Sequence, residues 1–216
     1  MSAIGSRIML QDNTKHRDDM GCRCRWCLNA TFLSRLVSTD EFTDFTIVCG
    51  GHERKRQVHR LILSAASTYF AHLFRVPNVR ETILGRIEFP ETDPELVFAM
   101  VDWMYYGKIE VSAYGGVSGY SELLLECVYM YAMGEQYGVL GLPESAAWAV
   151  CAILHHQRYY LLEQVDDMVE MVDLVNATTV PNSPLRRQVW DSLLDNGYAK
   201  DIGKYALKAL LDVGAG

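Results

Sequence analysis

The stretch Phe45 to Phe74 constrains this chain more than any other, because its hydrophobic period changes part-way through. Phe45, Ile47 and Cys49 alternate with Thr46 and Val48, the pattern of a strand with one face deeply buried and the other partly covered. Gly50-Gly51 supplies a turn, and the polar, basic return from His52 to Val58 suits an exposed strand. Beyond it Ile62, Ala66, Tyr69 or Phe70, and Leu73 recur at helical spacing. The expectation is a hairpin feeding a pair of helices, with Leu61 inside the helical core.

Other segments are read outward from this unit. Met1 to Ala30 has little hydrophobic periodicity and reads as a flexible tail, and Thr31 to Val37 as a short helix or extended lead-in. Pro77-Asn78 breaks the helical pattern, and Arg86 to Phe89 is a short strand closed by Pro90. Asp93-Pro94-Glu95 then combines a cap, a first-turn proline and an acid at the positive end of a helix dipole. That helix carries Val97, Met100 or Val101, and Met104 on one face and stops at Gly107. Tyr114 to Gly119 is a glycine-rich loop without the strand and lysine of a phosphate-binding fingerprint. Further helices are expected from Ser121 to Gly138, Glu144 to His156, Arg158 to Asn176, Leu185 to Asn196 and Ile202 to Leu211. Leu162, Val165, Val169, Val172 and Val175 form the apolar face of the third of these. Strands come early and helices follow, which predicts the α+β class.

Half of the 216 residues are hydrophobic, enough to bury a core without staples. A formal charge of −7 argues against a general nucleic-acid or acidic-membrane binder, which needs a positive field. No run approaches the roughly 20 apolar residues of a membrane span, and the start lacks the plan of a signal peptide. An intracellular chain, cytoplasmic or nuclear, is expected. Cys49, Cys127 and Cys151 lie in apolar segments and read as buried thiols. Cys22, Cys24 and Cys27 cluster in a basic run with His16 upstream. These offer four zinc ligands, although the spacing is not a two-plus-two arrangement, and the alternative is a redox-exposed tail. No other cofactor is expected.

With Asp44-Phe45-Thr46-Ile47-Val48 followed by Val58-His59-Arg60-Leu61-Ile62-Leu63-Ser64-Ala65-Ala66-Ser67-Thr68-Tyr69-Phe70, the chain closely resembles the BTB/POZ domain. Ile87-Glu88-Phe89, matching the family's third strand, and Tyr105-Tyr106-Gly107, where the family usually has Tyr-Thr-Gly, extend the likeness across roughly Phe42 to His156. Val58 replaces the usual alanine before His59. The resemblance implies a small β-sheet flanked by helical hairpins. It divides the chain into a tail over residues 1–30, a BTB/POZ domain over 31–156 and a helical C-terminal extension over 157–216, as in compact, fungal-type members. No Kelch, MATH or zinc-finger domain accompanies it to name a target.

The resemblance also nominates sites. Asp44 and Arg60 match the charged pocket on the family's dimer face, where opposite charges would satisfy each other and remain available to a partner. Val79-Arg80-Glu81 stands where members that recruit cullin-3 ubiquitin ligase carry an apolar-x-Glu motif, which makes Val79 and Glu81 candidate partner-binding residues; the plain alternative is a solvated loop. His59 is expected to pack and hydrogen-bond in the core, since no nucleophile or acid motif accompanies it. His52 to Arg56 would paint an edge strand with charge. Phe70, Phe74, Trp103 and Tyr105 read as core, and His155-His156 as a helix end complementing the dipole. The function implied is non-enzymatic: a homodimer or other self-associating module, and an adaptor for a cullin-3 ligase. A transcription-linked scaffold acting through partners and a zinc-binding module are the alternatives.

Overall fold

The computed structural model describes residues 7–11, 40–50, 54–112, 119–156 and 165–195. In chain order these form β1 (Arg7–Gln11), β2 (Phe45–Cys49), β3 (Arg54–Val58), α1 (Arg60–Ala66), α2 (Thr68–Arg75), α3 (Arg80–Leu84), β4 (Arg86–Phe89), α4 (Pro94–Tyr106), β5 (Lys108–Ser112), α5 (Gly119–Gln136), α6 (Leu142–His156), α7 (Val165–Thr178) and α8 (Pro184–Asp195). The α+β expectation is met. Contacts divide the chain into two units, one of residues 11–109 with 133–142, the other of residues 1–10, 110–132 and 143–216.

In the first unit β2 is the middle strand of a three-stranded sheet, order β3-β2-β4. It pairs antiparallel with β3, placing Phe45 opposite Val58 and Ile47 opposite Arg56, and parallel with β4, placing Ile47 opposite Ile87. A parallel neighbour requires a crossover, and α1, α2 and α3 supply it. Phe45, Ile47, Val48 and Cys49 are all buried, as a strand covered on both faces demands.

The helical run after β3 is two helices because Ser67 leaves helical geometry. Its backbone is extended (φ −140°, ψ 129°) and forms an isolated antiparallel bridge to Val139. Its hydroxyl donates to the Tyr137 carbonyl at 2.6 Å and accepts from the Phe70 N–H at 3.2 Å, so Ser67 ends α1 and caps α2. The first N–H groups of α2 turn to the same neighbour, Thr68 donating to the Gly138 carbonyl at 3.0 Å. This close approach dictates glycine at 138, where φ is +54° and a Cβ would stand 1.9 Å from Thr68 Oγ1.

Helix rotation departs from the expectation. Leu63 and Phe70 point inward with no exposed surface, whereas Leu61 is 81% exposed and Tyr69 partly so. The sequence Leu61-Ile62-Leu63 is apolar around most of one turn, so hydropathy does not single out its inner face. The hairpin fixes it: β3 ends at Val58, and Asp44 Oδ1 accepts the Arg60 N–H at 2.8 Å.

β3 is an edge strand, but its arginines are not merely solvated. Arg54 pairs with Glu95, Arg56 pairs with Asp102 at 2.5 Å, and Arg56 donates to the Phe98 carbonyl at 3.2 Å. Both guanidinium groups lie over the Phe98 ring, at 5.1 and 5.9 Å. They tie the hairpin to α4. That helix starts as expected, Asp93 accepting from the Glu95 N–H at 2.9 Å, buries Val97, Met100, Val101 and Met104, and closes at Gly107 (φ +62°).

In the second unit, Val172 and Val175 on α7 are buried and Val169 is half-buried, as the apolar face predicted, with Met168 and Met171 added. Leu162, the Val165 side chain, Thr31 to Val37 and Ile202 to Leu211 lie outside the described residues. Arg186 is nearly buried and donates from Nε to Thr179 Oγ1 at 2.8 Å and from Nη2 to the carbonyls of Asn176, at 2.5 Å, and Thr179. It thereby satisfies carbonyls left free at the end of α7. Two elements were not expected: β1, inside the presumed tail, and its partner β5. Their pairing joins residues about a hundred positions apart, beyond the reach of local patterning. No described helix is long and apolar enough to cross a membrane.

Candidate protein-interaction surface

Val79 and Glu81 occupy the start of a helix, where the alternative reading had a loop. Val79 is the extended residue before α3, its carbonyl accepts from Ile83, and Glu81 sits in the first turn, where its charge complements the dipole. Thr82 Oγ1 donates to the Leu73 carbonyl at 3.2 Å, pinning α3 against α2. Val79 forms part of a groove of about 560 Å³ with Tyr69, His72, Leu73 and Val76 of the α2 face and Gln136 from the end of α5. Glu81 lines a smaller hollow of about 240 Å³ with Arg80, Leu84, Arg86 and Glu88. The two residues therefore serve adjoining hollows, and Ile83 and Leu84 expose large apolar side chains on the same short helix. Burial pushes the Tyr69 hydroxyl pKa up, and the nearby Glu81 charge adds to it.

Tyr69, His72 and Leu73 were not nominated from sequence as interaction residues. Their signal is a spacing of three to four along α2, legible once Ser67 is recognised as the cap that sets where the helix begins.

Asp44 and Arg60 meet differently from the expected ion pair. The carboxylate accepts the Arg60 backbone N–H, while the guanidinium lies over Phe74 at 4.7 Å and Phe45 at 5.6 Å. Helix α1 begins at Arg60, so its unfilled N–H is the donor nearest the carboxylate, and the arginine stem folds back over the aromatic rings.

His59 packs in the core as expected. Nε2 donates to the Glu41 carbonyl at 2.7 Å, which leaves Nδ1 to accept from the Tyr105 hydroxyl at 2.8 Å, and that oxygen accepts the His59 N–H, also at 2.8 Å. Both ring nitrogens are occupied within the protein. Burial raises the Tyr105 pKa against the opposing effect of that N–H bond. Beside this network, the loop from Asp40 to Asp44 holds Asp40 and Phe42 at positive φ.

Cys22, Cys24, Cys27 and His16, the candidate zinc ligands, lie outside the described residues. Among the described residues no group of three or more His, Cys, Asp or Glu is placed to hold a metal. Cys49 and Cys127 are buried thiols and Cys151 is half-buried. Burial pushes Cys127 up to about 12.

The model of the BTB/POZ domain matches residues 33–136, which include the sheet, both capped helices and the groove. Residues 33–136 are a BTB/POZ domain. As such they constitute a protein-interaction module. The chain is similar to Kelch-like protein 30 of Mus musculus, 26% identical over 184 residues, covering 76% of this chain and 30% of that protein. It is also similar to Kelch-like protein 21 of Danio rerio, 26% identical over 182 residues, covering 83% of this chain and 26% of the relative. A BTB/POZ domain-containing protein of Arabidopsis thaliana is 25% identical over 143 residues, covering 66% and 17%. The chain thus spans less than a third of the length of each.

Proposed function

We propose that this chain is a non-enzymatic, intracellular adaptor that self-associates and presents a bound target to a cullin-3 ubiquitin ligase. The observation that carries the reading is the position of Val79 and Glu81 on adjoining hollows at the start of α3. It supports docking because an apolar groove edge and an acid stand side by side on a surface that also exposes Ile83 and Leu84. The likeness of Val79-Arg80-Glu81 to the family's apolar-x-Glu motif supports the choice of cullin-3 as the ligase.

Capture of the purified full chain on the immobilised amino-terminal domain of cullin-3 tests this. The double substitution Val79→Ala with Glu81→Arg is expected to abolish capture while leaving the circular dichroism spectrum intact. Equal recovery of the double variant and the unsubstituted chain refutes the role of these residues. Absence of any capture, with a co-repressor co-purifying from cells instead, would favour the transcription-linked alternative.

A further inference from the structure

Strand β3 ends one side of the three-stranded sheet, and among the described residues no strand pairs with its outer side. The ladder fixes which backbone groups stand there. The N–H groups of Thr46 and Gly50 donate to the carbonyls of Gly85 and Phe89, on the β4 side. Phe45, Ile47 and Cys49 alternate with these donors, so their N–H and C=O groups turn to the opposite residues Val58, Arg56 and Arg54 of β3. Lys55 and Gln57 therefore direct their backbone N–H and C=O groups away from the sheet.

An edge of this kind is ordinarily blunted by a bulge, a proline or charged side chains. β3 keeps register with β2 through all five of its residues and contains no proline. Its arginines are drawn aside, Arg54 to Glu95 and Arg56 to Asp102, both over the Phe98 ring of α4. Gln57 leans across the sheet, its Oε1 accepting from Thr46 Oγ1 at 3.1 Å. Lys55 is left exposed at the edge, and among the described residues no carboxylate pairs with it.

Charge decides what can lie alongside. Arg54, Lys55 and Arg56 are consecutive cations in a chain of formal charge −7. A second copy pairing edge to edge would set these cations beside their own counterparts, and like charges across a ladder are destabilising. A strand carrying acids reverses the sign of that interaction.

We propose that β3 receives an extended acidic segment of a partner protein as an added strand. Main-chain hydrogen bonds to Lys55 and Gln57 supply the affinity, and Lys55 selects an acid in the cross-strand position. The other edge of the sheet is β4, whose Arg86 and Glu88 line the hollow shared with Glu81. The acidic segment and the ligase thus take opposite edges.

The test is fluorescence anisotropy of a short labelled peptide of alternating glutamate and valine, titrated with the full chain. Saturable binding that weakens with added salt is expected, and the lysine–valine counterpart should not bind. Methylating one alternate set of peptide nitrogens should abolish binding while methylating the other set is tolerated, a signature of strand pairing that electrostatic attraction alone does not give. Gln57→Pro removes an outward N–H at an edge, where proline is tolerated, together with the side-chain bond to Thr46, and should weaken binding about tenfold or more. Lys55→Glu should weaken it about fivefold or more and make the lysine–valine peptide the preferred one. That variant changes one exposed side chain, so it remains informative if Gln57→Pro impairs folding. No saturable binding of the acidic peptide, equal binding of the two methylated forms, or undiminished binding by Lys55→Glu overturns this docking.

Discussion

Replacing Leu63 and Leu61 separately by alanine distinguishes the observed rotation of α1 from the one that hydropathy suggests. Leu63 has no exposed surface. Truncating it removes buried carbon atoms and leaves a cavity, which costs about 2–5 kcal/mol. For a chain of this size that lowers Tm by about 2–4 °C per kcal/mol. Leu61 is 81% exposed, and a surface truncation of this kind stays within about 0.5 kcal/mol. Aspartate sharpens the contrast. Leu63→Asp buries a charge with no partner and should prevent folding, whereas Leu61→Asp should melt almost as the unsubstituted chain does. The measurement is urea unfolding followed by circular dichroism, repeated at several protein concentrations, because any association of the folded chain would add apparent stability. Equal losses at the two positions, or a larger loss at Leu61, would refute the packing of α1 and with it the exposed face at Leu61.

Two further outcomes are expected. Gly138→Ala should cost at least about 1–2 kcal/mol for the left-handed backbone alone, with more from the contact 1.9 Å from Thr68 Oγ1; Thr68→Ala should recover the second part in a double-mutant cycle, and additive losses would contradict the clash. Stability should fall as pH rises from 9 to 12. Cys127 titrates at about 12 when folded against 9.0 as the ordinary value, so in that window the unfolded chain has released a proton that the folded chain still holds, and unfolding is favoured. The raised pKa values of Tyr69, Tyr105 and Tyr137 act in the same direction. A urea midpoint that stays constant or rises between pH 8.5 and 11 would contradict the burial of these groups.

Local chemistry made much of the fold legible. Asp93-Pro94-Glu95 and Gly107 bracket α4 because capping acts within a single turn, and β2 was legible as a strand although its central position buries Val48 as well as Phe45, Ile47 and Cys49. The candidate surface was only partly legible. Val79 and Glu81 were found by their position in a motif, but the groove beside Val79 also needs Gln136, more than fifty residues away in sequence, and no local pattern announces such a neighbour. The supposed pair of Asp44 and Arg60 went astray for a related reason. Opposite charges suggest a bridge, yet a free helix N–H and two aromatic rings were closer competitors.

Residue order by itself determined the sheet strands β2, β3 and β4, the helix boundaries set by proline, glycine and aspartate, and the α+β class, since all of these follow from periodicity and short-range hydrogen bonding, while the motifs from Asp44 to Val48 and Val58 to Phe70 carried the resemblance to the BTB/POZ domain. Tertiary structure alone decided which side of α1 faces inward, that Arg54 and Arg56 grip α4, that β1 pairs with β5, and that the Arg60 guanidinium lies over Phe45 and Phe74. Those outcomes depend on groups brought together from distant positions, where the competition among available partners is settled only after the chain has folded.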